Sequence, residues 1–112
     1  MDSTTTRMQA ACLLVFLAGP LCAEPLAVAP ELWDRPRSAR AVLEQAEIRE
    51  AVRAHLAQAG SRIVIHHGLG QEPLLQAEEL RAWLMALAVD AASISLLNDV
   101  KTNQTMTIEV VK

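Results

Sequence analysis

The sequence predicts an α+β domain: a small mixed β-sheet, with elements in the order β-α-β-α-β-β and two helices packed on one face. Three observations carry that expectation. A β-branched run, Ile63-Val64-Ile65, reads as a strand; helical periodicity appears on both sides of it; and apolar and polar residues alternate over Thr105 to Val111 near the end of the chain. Helices set between strands require crossover connections and at least one parallel pair, which the last two strands would close as a hairpin.

The first stretch of the 112-residue chain reads differently. Ala10 to Leu21 is almost wholly apolar but shorter than the roughly 20 residues a membrane span needs, so residues 1–23 are expected to be a secretory signal peptide. Gly19-Pro20 would break its helix, and Ala23 offers a small residue at the cleavage position, giving a mature start at Glu24. Cys12 and Cys22 both fall inside it, so the exported part has no thiol and must be held together by its apolar core alone.

Pro25, Pro30 and Pro36 interrupt residues 24–37, which read as an extended leader, with the domain proper over 38–112. Ala39, Ala41 and Leu43 alternate with Arg40 and Val42, which favours a short strand; one longer helix beginning at Ser38 is the alternative. A helix is expected from about Ala46 to Ala59. It would carry Ile48, Val52, Leu56 and Ala59 on its apolar face, with His55 at the edge and Gly60 as the stop. Arg62 to His66 follows as a strand, central and buried on both faces because its apolar residues are consecutive. His67 to Pro73 reads as loop and Leu74 to Val89 as the second helix. Ser93 to Leu97 is a strand, Asn98 to Gln104 a polar turn, and the last strand sets Met106, Ile108 and Val110 on one side with Thr107 and Glu109 on the other.

The net charge of −3 is unchanged when the signal peptide, whose only charges are Asp2 and Arg7, is set aside. That balance gives no electrostatic case for nucleic acid or an anionic membrane as partner. Trp33 and Trp83 are the only aromatics after residue 23, so base- or sugar-stacking platforms are nearly absent.

Four short pieces, Ile63-Val64-Ile65, Arg81-Ala82, Ile94-Ser95 and Thr107-Ile108-Glu109-Val110, follow one another as in the OmpA C-terminal domain family. The chain resembles that family, a periplasmic β-α-β-α-β module that binds peptidoglycan, over roughly Arg62 to Val111. The resemblance implies a periplasmic cell-envelope protein that is not an enzyme and uses no cofactor. In the family an aspartate and an arginine together hold the diaminopimelate of the peptide stem. Here His66-His67-Gly68-Leu69 stands where the family has Gly-His-Thr-Asp, so the aspartate is missing, and Arg81 alone is the expected ligand-binding residue.

Arg81 is chemically suited to a carboxylate through its two-pronged guanidinium, but it could equally pair with Glu78 or Glu79 on its own helix. His66 and His67 are candidates for a polar contact or for metal. Adjacent strand residues point to opposite faces, so a metal would need a further ligand such as Glu72 or His55; the favoured reading is one histidine topping the sheet and one in solvent. Trp83 is expected to join the core rather than a partner surface. Two functions are therefore expected in turn: a reduced OmpA-like protein touching peptidoglycan through Arg81, or a protein-interaction subunit of a periplasmic assembly without cell-wall affinity.

Overall fold

The computed structural model describes residues 24–112; the expected signal peptide, with Cys12 and Cys22, lies outside the described residues. Within them the chain forms β1 (Leu26–Ala27), a 3-10 turn (Pro30–Asp34), α1 (Ala39–Leu43), α2 (Ala46–Ala57), β2 (Arg62–Gly68), α3 (Gln71–Ala86), a second 3-10 turn (Ala91–Ser93), β3 (Ile94–Val100) and β4 (Thr107–Val111). The four strands make one mixed sheet in the order β1-β4-β2-β3, with the helices on one face, so the α+β class holds.

The β-branched run is the middle of this sheet. β2 pairs in parallel with β3, Ile63 opposite Ile94 and Ile65 opposite Leu96, and antiparallel with β4, Ile63 opposite Val110 and Ile65 opposite Ile108. Ile63, Ile65, Ile108 and Val110 therefore converge on the face that α2 and α3 cover, and all four are buried. The other face has no helix over it. Val64 lies there half-buried, so β2 is central by its hydrogen bonds but covered on one face only. β4 does not fold back on β3 as a hairpin. It crosses to the far side of β2, where Ile108 and Val110 complete the apolar layer that an edge position beside β3 would leave open.

The beginning of the domain departs from expectation in two places. Residues 39–43 are helix, not strand. The Ser38 side chain accepts a hydrogen bond from the Ala41 amide at 3.1 Å, capping a turn rich in alanine, and only Val42 is buried. The helix then breaks at Glu44-Gln45 and restarts as α2. The sheet's first strand lies instead in the segment read as a leader. Leu26 and Ala27 pair antiparallel with Ile108 and Thr107, the Val28 amide donates to the Met106 carbonyl at 2.9 Å, and Val28 and Leu32 are fully buried. Prolines in 24–37 shape a turn that wraps the core, so this segment is part of the folded unit and not an extended leader before it.

α2 buries Ile48, Ala51 and Val52, while Leu56 is 59% exposed. The apolar face is thus turned about one position from the expected stripe. His55 explains the turn: its Nδ1 lies 2.8 Å from Ser61 Oγ, and that hydroxyl donates back to the His55 carbonyl at 3.1 Å, tying this flank to the buried start of β2. α3 begins at Gln71, earlier than expected, because Pro73 sits inside the first turn, where the missing amide costs nothing. It ends at Ala86 with Ala88 left-handed (φ 78°). The Val89 amide donates to the Leu84 carbonyl and the Ala88 amide to the Met85 carbonyl, a Schellman ending sealed by buried Val89.

Candidate functional site

The open face of the sheet carries the most concentrated polar cluster among the described residues. His66 stands on β2 between Glu109 of β4 and Asp99 of β3. Its Nε2 is 2.8 Å from Glu109 Oε1, and its Nδ1 is 2.9 and 3.0 Å from the two Asp99 oxygens. Asp99 reaches it because the pairing slips from His66 opposite Leu97 to Gly68 opposite Val100, so β3 holds one extra residue there. With carboxylates on both sides, both ring nitrogens donate, which is the arrangement of a charged imidazolium. Burial opposes the charge, but the bonds to Glu109 and Asp99 outweigh it and raise the His66 pKa above its ordinary value.

His67 takes the opposite face, as strand geometry requires, but it is not solvated. It is 5% exposed, and its Nδ1 donates to the Gly68 carbonyl at 2.9 Å. The two histidines therefore share no ligand, and His55 is committed to Ser61. Among the described residues no group of three or more His, Cys, Asp or Glu is placed to hold a metal ion.

α3 positions Arg81, and its neighbours decide what Arg81 can do. Glu79, a partner weighed for it, is taken by Arg37. The guanidinium grips that carboxylate two-pronged, Nε to Oε2 at 2.8 Å and Nη2 to Oε1 at 3.0 Å, and Trp83 Nε1 donates to Oε2 at 3.1 Å. Arg37 also lies over the Trp33 ring at 5.5 Å. The hydrogen bond from Arg37 outweighs burial and holds the Glu79 carboxyl below its ordinary pKa. Among the described residues Arg81 makes no ion pair with Glu78 or any other carboxylate, and its side chain is half-buried. Trp83 is half-buried against the core, as expected, and Trp33 folds back onto the same core.

A cavity of about 290 Å³ opens at the C-terminal ends of β2 and β3, between Trp33, Leu69, Pro73 and Met106, with Lys101 its one charged lining residue. A second groove runs beside it, where His67, Leu74 and Asn98 meet, so the start of α3 borders β3. Of Arg81, His66 and His67, none lies in the first cavity and only His67 lines the second.

The strand expected over Ser93 to Leu97 is β3, but its place at the edge of the sheet is a feature that periodicity did not flag. Among the described residues it is an edge strand with its outer side unpaired over Ile94–Val100. It contains no proline, lysine or arginine, and its one charge, Asp99, is drawn to His66. Leu97 is 47% exposed near its middle. Of the devices that usually guard a natural edge, β3 carries the bulge near Asp99 and the inward draw of that carboxylate, but it has no proline or cation and is not short. The opposite edge, β1, has only two residues.

No family model, curated protein or solved structure matches this chain.

Proposed function

We propose that this chain is a non-enzymatic protein of the cell envelope, exported to the periplasm, whose domain binds another polypeptide along β3. The observation that carries the reading is the long β3 edge, unpaired among the described residues. A row of free backbone donors and acceptors over seven residues, with a helix alongside to contact alternate side chains, is the arrangement that strand addition uses. The signal-like start of the sequence supports export. The strand-helix-strand succession from Arg62 followed by β4 supports a divergent OmpA-like relationship, from which the fold alone would not carry a ligand.

Site-specific photocrosslinking in the intact envelope tests the reading. A crosslinker at Leu97 is expected to trap a polypeptide, and one at Ala27, on the other edge, to trap none. Trapping at neither position, or equally at both, contradicts it.

One observation favours a second reading, contact with peptidoglycan. Arg81 has no anionic partner among the described residues, which leaves its guanidinium available to a peptide-stem carboxylate. Cosedimentation with purified peptidoglycan is then expected, and Arg81→Ala is expected to abolish it. Wild-type protein that stays in solution removes this reading and leaves the first intact.

A further inference from the structure

We infer that the occupant of the β3 edge is a second copy of this chain, joined about a twofold axis that brings two β3 strands and two α3 helices together. The inference rests on the reading of β3 as a binding edge and names the partner.

The outer flank of α3 supplies the argument. Leu74, Glu78, Arg81 and Met85 are spaced four, three and four residues apart, so they form one stripe along the helix. Leu74 meets Asn98 in a shared groove, which places the stripe on the β3 side. Leu74 is 40% and Met85 43% exposed, Glu78 is exposed, and neither Glu78 nor Arg81 has an ion pair among the described residues.

That spacing reads the same from both ends. When two such helices run antiparallel about a twofold axis, Leu74 faces Met85 of the second copy and Glu78 faces Arg81 of the second copy, each contact occurring twice. In a parallel arrangement Glu78 would face Glu78 and Arg81 would face Arg81, and like charges would repel. The surface is therefore complementary to itself in one orientation only, which is the requirement of a closed dimer.

The sheet imposes the same orientation and a matching distance. Two β3 edges related by a twofold pair antiparallel and extend the four strands of each copy into one continuous sheet, with Leu97 near the axis. Neighbouring strands are about 4.8 Å apart. α3 rests on both β2 and β3. A helix centred between those strands lies about one strand spacing from the axis, so the two copies of α3 stand roughly 10 Å apart, the separation at which helices pack. Pairing the strands and packing the helices are thus one event.

Sedimentation equilibrium of the full chain as secreted, with circular dichroism as the folding control, tests this. The wild type is expected to be a dimer at about 100 μM, an affinity within the ordinary range for an interface of this kind. Leu97→Lys is expected to leave a folded monomer. Glu78→Arg and Arg81→Glu are each expected to weaken the dimer by about tenfold, because each contact is made twice, and the double exchange to return it to within about threefold of wild type. A monomeric wild type whose Leu97 crosslinks a different polypeptide overturns this inference and leaves the binding-edge reading standing. A monomer with no crosslink ends both. A dimer unaffected by Leu97→Lys and not rescued by the double exchange uses another surface and also overturns the inference.

Discussion

The two flanks of α3 are built to opposite rules. On the inner flank Glu79 and Trp83 meet Arg37 and Trp33, and the Glu79 carboxylate accepts from both Arg37 and Trp83. On the outer flank Leu74 and Met85 stand in solvent, and Glu78 and Arg81 pair with nothing among the described residues. Both flanks carry a glutamate, a cation within reach and large apolar surface. The difference is that residues 24–37 wrap one of them and stop short of the other. The closed flank contributes to the fold; the open one lies beside the open strand. One helix thus separates what holds the domain together from what the domain can offer a partner.

The comparison breaks most severely at Leu32. If the 24–37 segment is core, Leu32→Ala should cost about 2–5 kcal/mol in urea unfolding; a leader would lose almost nothing. Next come the two glutamates. Glu79→Gln is expected to cost about 1 kcal/mol, discounted for the one-third exposure of the pair, whereas Glu78→Gln in the same urea unfolding should change stability by less than about 0.5 kcal/mol. The Glu79 loss has its own pH signature. Its folded pKa is lowered, so its contribution is present above the usual carboxylate range and disappears as pH falls through the folded value.

His66 carries the opposite sign. Its folded pKa is raised, so its contribution is full below the unfolded value of about 6.5 and is lost as pH climbs through the folded one. The stability gap between wild type and His66→Gln should therefore narrow as pH rises above about 6.5, and a gap that widens would refute the imidazolium assignment. The smallest expected effect is a gain. Ala88→Gly relieves a left-handed alanine at the exposed end of α3 and should add ~0.5 kcal/mol without touching either flank.

Periodicity made the two long helices, the β-branched strand and the faces of β4 legible, because burial of an amphipathic element leaves its period in the sequence. It misread Ala39–Leu43, where a run of small residues alternates by chance and a serine cap decides the conformation. The prolines of 24–37 read as a leader because two-residue β1 and a 3-10 turn have no period to detect; Val28 and Leu32 are isolated apolar residues until β4 is there to receive them. Strand order was equally hidden, since a polar turn after β3 suits a hairpin as well as a crossing to β2. At the site, His66 and His67 were placed on opposite faces correctly, but Asp99 and Glu109 come from distant positions and the Asp99 contact depends on a register slip. Arg81 was singled out by resemblance; that it has no ion pair among the described residues became visible only once Arg37 was seen holding Glu79.

The most direct test is amide hydrogen exchange measured at about 1 μM and at about 100 μM on the same chain. Protection is expected to rise with concentration across Ile94–Val100 and along the Leu74–Met85 flank of α3, while Leu26–Ala27 exchanges identically at both concentrations. Protection in β3 that does not change with concentration, or that rises equally in β1, would contradict the assignment of this edge as the binding surface for a second copy.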